Sequence, residues 1–143
     1  MLPQAFQSPA LLMPAVEAGA ALIGRILLAA IFLHDGAFKI VAYQVALAYM
    51  AAYGVPGALL PLAIAVELGC ALLIVLGLWT RAAALLLAAF CVATAVLFHT
   101  KFGDRNQLLH FEKDLAIAGG FLMLAVHGAG AWAIDALWRR DRA

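Results

Sequence analysis

Glu67 stands near the middle of a long apolar run, about nine residues in, or roughly 13 Å along a helix rising 1.5 Å per residue. A carboxylate at such depth in an apolar medium is costly unless it is paired or lines a wet cavity, so it invites a functional reading. Nothing in its own run neutralises it. Arg25, inside the preceding apolar run, can reach toward it, and an Arg25–Glu67 ion pair that fixes helix register is the structural reading. A carboxylate that carries a proton or orients a ligand is the functional one. Asp35 and Lys39 are spaced i,i+4 and can pair on one helix face. Beyond the third apolar run come His99, Lys101 and Asp104, then His110 and Asp114, again at i,i+4. Lys39, Glu67, His99 and Asp114, with Asp35 and His110 beside them, are therefore expected to converge on one end of the molecule as a ligand pocket. The plainer account of the same residues is a solvated loop with flanking charges.

Other chemistries find little support. No HExxH or similar spacing is present, and His34, His99 and His110 share no fixed local arrangement, so no metal site is expected. Cys70 and Cys91 form no CxxC and read as small buried hydrophobes. The only serine, Ser8, lies in the N-terminal tail, which leaves a Ser/His/Asp triad without a nucleophile. A net charge of +1 with no basic stripe argues against a nucleic-acid partner.

The elements that position these residues belong to a membrane protein. The chain is 67% hydrophobic and 12% charged, with a mean hydropathy of +1.03, whereas soluble domains are about half apolar and roughly a quarter charged. Its 143 residues accommodate four crossings of about 20 residues with short connections. The expected architecture is all-α: a single polytopic four-helix bundle over residues 1–143, with spans at 18–40, 58–78, 82–98 and 110–127. Between the first two spans, residues 41–53 hold all three tyrosines, with Tyr43, Leu47, Met50 and Tyr53 at helical spacing. That stripe suits an amphipathic helix lying in the interface. Gly54-Val55-Pro56-Gly57 ends it, and Trp79-Thr80-Arg81 forms a tight turn between spans two and three. Gly119-Gly120 offers close approach to a neighbouring helix. No cleavable signal peptide is expected, because residues 1–15 lack a basic segment and contain three prolines. Arg81, Arg139, Arg140 and Arg142 share the side of the termini, with Lys39, Lys101, Arg105 and Lys113 opposite, a distribution that favours cytoplasmic termini.

A family resemblance rests on an ordered set of short segments. These are Gly24-Arg25-Ile26, then Ile31-Phe32-Leu33-His34-Asp35-Gly36-Ala37-Phe38-Lys39, Gly54-Val55-Pro56, Glu67-Leu68-Gly69 and Leu76-Gly77-Leu78-Trp79-Thr80-Arg81. His99, Phe111-Glu112-Lys113-Asp114-Leu115, Gly128-Ala129-Gly130 and Ile134-Asp135 extend it over roughly residues 20–137. The set resembles the DoxX family of bacterial membrane proteins. Two departures stand out: Asp35 lies where the family often has His or a small polar residue, and Asp114 where it often has Asn. The resemblance implies a four-helix bundle in the bacterial cytoplasmic (inner) membrane and a redox setting. Relatives are linked to a thiosulfate:quinone oxidoreductase, and others form complexes with superoxide-detoxifying and sulfur-transfer enzymes. It names no catalytic residue and no covalent cofactor. The function so implied is a redox-associated membrane subunit whose pocket takes a quinone-like or small sulfur-containing ligand. A non-catalytic anchor for soluble or membrane redox partners is the alternative, and a small proton-coupled transporter a more distant one.

Overall fold

Long apolar runs with few breakers fold as helices, and in a computed structural model covering residues 9–140 every regular element is helical. Helix α1, Pro9–Val41, is 33 residues long and continues through Pro14. It begins well before residue 18, because hydropathy marks where lipid begins rather than where a helix does, and Ala15 to Ala18 contain no breaker. A non-helical Ala42 separates it from α2, Tyr43–Ala52. That short helix lies between the first two spans and turns Tyr43, Leu47, Met50 and Tyr53 onto Val55, Leu60, Ile64 and Phe98. A 3-10 turn, Gly57–Leu59, leads into α3, Leu60–Leu76, with Pro61 in the first turn where no intrahelical N–H is lost.

Gly77 ends α3 with a left-handed φ of 70°. Its N–H bonds the Ile74 carbonyl and that of Leu78 bonds Leu73, the paired closure of a Schellman motif. Helix α4, Thr80–Phe98, follows after only three residues. Helix α5, Arg105–His127, starts five residues before the expected span because Asp104 caps it, accepting a bond from Asn106 N at 2.8 Å. Helix α6, Ile134–Arg140, closes the described chain. Segments Pro14–Val41, Gly57–Leu76 and Thr80–Phe98 are long and apolar enough to cross a membrane. The fourth, α5, is 23 residues long and packs along α4, with Glu112, Lys113 and Asp114 in its first half.

The helices pack through small residues. Ala29, Ala71, Ala84, Ala88 and Ala118 are buried in one cluster with Ile74, Leu87 and Phe121, and such residues let membrane helices approach closely. Phe32 of α1 meets Phe90 of α4 and Phe121 of α5 edge-on, at 6.4 and 5.4 Å. Of the two adjacent glycines in α5, Gly120 faces Leu28 of α1, whereas a side chain at Gly119 would meet nothing.

The end of the bundle that carries the α3–α4 turn is tied by two side chains. Arg25, 1% exposed, donates from Nη1 to the Ile74 carbonyl at 3.2 Å and from Nη2 to the Trp132 carbonyl. Asp135 of α6 caps α4 from outside, its carboxylate accepting from Trp79 N at 3.0 Å and Thr80 N at 3.2 Å. The residue preceding α4, Trp79, makes no side-chain cap of its own. An Asp135→Ala variant is therefore expected to lose about 1–2 kcal/mol, the usual worth of an N-cap. Unfolding in mild detergent measures this, and an unchanged midpoint would show that the cap adds nothing. Aromatic residues separate by end: Trp79, Trp132 and Trp138 lie with this turn, while Tyr43, Tyr49 and Tyr53 lie at the other end, a Trp belt on one surface and a Tyr belt on the other. Arg142, part of the basic cluster read from the sequence, lies outside the described residues.

Candidate functional site

At the tyrosine end, away from the tight turn, the N-terminal half of α3 and the C-terminal half of α4 enclose a cavity of about 770 Å³. The end of α1 and helix α2 complete its walls, with Asp114 and Ile117 from α5. Most of the lining is apolar, with Phe32, Leu60, Val66 and Phe90 prominent. Five of the six residues expected to converge line it: Asp35, Lys39, Glu67, His99 and Asp114. His110 does not line it, but its ring stacks on that of His99 with centroids 5.1 Å apart and planes 22° apart.

Glu67 is paired with Lys39 and not with Arg25. Lys39 Nζ donates to Glu67 Oε1 at 2.6 Å, with the Glu67 side chain 3% exposed and that of Lys39 27%. The correction follows from the antiparallel register of α1 and α3. Gly36 lies against Glu67 and Leu68, so close that a Cβ on it would meet Leu68 Cγ at 2.7 Å. Arg25, eleven residues earlier in α1, lies about 16 Å away along the helix, level with Ile74 and Gly77. The i,i+4 pairing of Asp35 with Lys39 does not form either: Lys39 turns to Glu67, and Asp35 Oδ1 sits 3.3 Å from His34 Nδ1 at the exposed face.

A second polar group faces the cavity from α4 and α5. Thr94 Oγ1 lies 2.9 Å from the Cys91 carbonyl and 3.1 Å from Asp114 Oδ2. One hydroxyl proton cannot serve both acceptors fully, so the arrangement accommodates a proton on either side of the Thr94–Asp114 contact. Above them, His99 Nδ1 donates to Gln107 Oε1 at 2.9 Å and Gln107 Nε2 donates to the Tyr53 hydroxyl at 3.2 Å. Tyr49 stacks on Phe98 at 5.4 Å, and Lys101 Nζ stands 5.3 Å over the Tyr53 ring. Of this layer, His99, Tyr49 and Phe98 line the cavity itself.

Two features of the lining were not picked out from the sequence. Thr94 had a signal, as the one hydroxyl side chain in residues 82–98. Tyr49 and Phe98 had none, because their stacking depends on α2 folding back over the α3–α4 gap, and Met50 was read only as part of the interfacial stripe. Among the described residues no group of three or more His, Cys, Asp or Glu could hold a metal ion.

Residues 20–100 match the DoxX family, which is more than half of the chain. The chain is also 47% identical over 116 residues to inner membrane protein YqjF of Escherichia coli (strain K12), covering 81% of this chain and 89% of that protein. This chain belongs to the DoxX family. Inner membrane protein YphA of the same organism is 39% identical over 121 residues, 80% of this chain and 86% of YphA. No solved structure matches it. The chain is thus a DoxX protein of the bacterial inner membrane that crosses the bilayer several times. The stretch matched to DoxX runs from within α1 to the end of α4 and so contains the cavity wall apart from its two α5 residues. Both members of the Lys39–Glu67 pair fall inside it.

Proposed function

We propose that this DoxX protein is a redox-associated membrane subunit whose cavity binds a quinone-like or small sulfur-containing ligand. The observation that carries this reading is Glu67. Its Oε2 is buried and makes no hydrogen bond among the described residues, while the same side chain borders a large, mostly apolar cavity at membrane depth. Buried acceptors without partners are rare, and a site that supplies one is suited to a ligand with a polar group. The volume falls within the range of about 300–1,000 Å³ usual for small-molecule pockets. An apolar ring would pack against Phe32 and Phe90, with its polar edge toward Lys39 and Glu67. Lys39–Glu67 on one wall and Thr94–Asp114 on the other can exchange protons with that ligand, while electrons come from a partner protein.

The test is quinone content. Protein purified in mild detergent should carry quinone in its lipid extract at close to one per chain, and Glu67→Gln should reduce that at least about tenfold, as losing a charge-assisted contact does. The glutamine keeps a carbonyl for Lys39, so folding should survive. Quinone-free protein that still captures a soluble redox enzyme through the exposed Lys101, Asp104 and His110 end would support the anchor reading instead.

A further inference from the structure

The turn between α3 and α4 is short, so the two helices begin in contact. Near it their facing sides are packed: Cys70 and Ile74 of α3 are buried in one cluster with Ala83, Ala84 and Leu87 of α4. Farther from the turn the same side of α3, continued at three- and four-residue spacing by Val66, Ala63 and Leu62, lines the large cavity, as do Leu86, Ala93 and Leu97 of α4. Leu62 is 61% exposed there, and Leu86, Ala93 and Leu97 are exposed as well. Residues that border a cavity and the outer surface at once mark an opening. The helices therefore diverge, and the cavity reaches the lipid-facing surface between them.

We infer that the ligand enters sideways from the bilayer through this gap and carries a long apolar chain, which stays between α3 and α4 while its polar head sits beside Glu67. The inference rests on the reading of the cavity as a ligand site. It narrows that ligand to the quinone-like class, because a small sulfur compound has no chain to place.

The walls of the gap suit a hydrocarbon chain. The six side chains named above that line it are all apolar. Ala63 and Ala93 stand equally far in sequence from Leu78, so antiparallel helices bring them level. In the packed half small residues draw the helices together, as the complete burial of Ala71 and Ala84 shows; here a small residue on each helix leaves width between them. Val66 precedes Glu67, so the inner end of the gap meets the buried carboxylate whose Oε2 has no partner among the described residues. The opposite flank, Ile31 and Phe38 of α1, is exposed too, but it carries the half-exposed Asp35. An apolar chain avoids that charge. Lipid tails are as apolar as leucine, so the chain itself adds little affinity. What the gap supplies is a path by which the head reaches Glu67 without the chain leaving lipid.

The probes are decylubiquinone, its chainless dimethoxy-methylbenzoquinone head, and thiosulfate. Each is shared between empty nanodiscs and nanodiscs of the same lipid holding the full-length protein, and the excess in the latter is the bound amount. Variants are compared with the parent in one lipid, so the chain's preference for the bilayer cancels. Ala93→Trp, which fills the gap from α4, should weaken decylubiquinone at least about tenfold, the scale of forcing a group into occupied space, and the chainless head by less than about twofold. Leu62→Trp, which fills it from α3, should do the same and serves if Ala93→Trp fails to fold. Ile31→Trp, on the α1 flank, should affect neither. Equal effects of the two gap variants on both quinones, no effect on either, or an effect confined to Ile31→Trp would overturn the lateral gap and leave the pocket standing. Binding of thiosulfate without either quinone would also overturn it, in favour of a small sulfur ligand in the same pocket. A parent protein that binds none of the three would end both readings.

Discussion

An Arg25→Ala variant should lose on the order of 3–5 kcal/mol of stability, the scale seen when a buried charged group and its partners are separated. Arg25 is the largest fully buried side chain among the described residues. Its two bonds go to carbonyls of different segments, Ile74 near the end of α3 and Trp132 ahead of α6. Removing it leaves the Trp132 carbonyl without that donor and a void where the guanidinium filled the space beside Gly77. Neither deficit can be met by water easily at this depth. Arg25→Lys keeps the charge but offers a single ammonium in place of a fork, so it should recover only part of the loss. Unfolding by sodium dodecyl sulfate titration from mild detergent would measure both. Melting of Arg25→Ala within 1 kcal/mol of the parent, a limit well below the expected range, would mean that the two carbonyls find other donors.

The second large effect is expected at the other end. Lys39→Met removes the one cation bonded to Glu67 among the described residues and leaves a 3% exposed carboxylate in an apolar wall. About 2–4 kcal/mol should be lost, less than for a fully buried pair because Lys39 is itself partly exposed. Glu67→Leu alone strands the lysine, which can still reach solvent, and should cost less. The double variant Lys39→Met, Glu67→Leu should then be more stable than Lys39→Met alone, the non-additivity expected of two residues in contact. Additive effects in that cycle would show that the pair contributes no coupling.

The contrast between these two ends shows what a sequence can and cannot reveal. Helices α3 and α4 were visible as long apolar runs and the end of α4 followed from the polar residues after Phe98, but the turn between them, expected at Trp79-Thr80-Arg81, falls two residues earlier because Gly77 ends α3. The convergence of Lys39, His99 and Asp114 followed from counting crossings, since an even number of turns returns their segments to the same side. The partner of Glu67 did not follow from counting. Arg25 and Lys39 flank the same span, and only the register of α1 against α3, set by contacts such as Gly36 on Leu68, decides which one lies level with the carboxylate. Arg25 was harder still, because its acceptors are backbone carbonyls, and every residue has one. A cap supplied from a distant helix, as Asp135 supplies it to α4, leaves no mark beside the residues it serves.

The bond from Arg25 to the Trp132 carbonyl has a consequence for how the protein is made. The two residues are 107 positions apart. An elongating chain emerges from its N-terminus, so α1 enters the bilayer carrying an arginine whose second acceptor has not yet been synthesised. Its guanidinium is therefore held by the Ile74 carbonyl alone once α3 arrives, until residue 132 has left the ribosome. Insertion of the spans is sequential, but closure of this end comes only after α5 has been made. Quality control that senses an exposed intramembrane arginine would see every nascent copy of this protein as unfinished until residue 132 is in place.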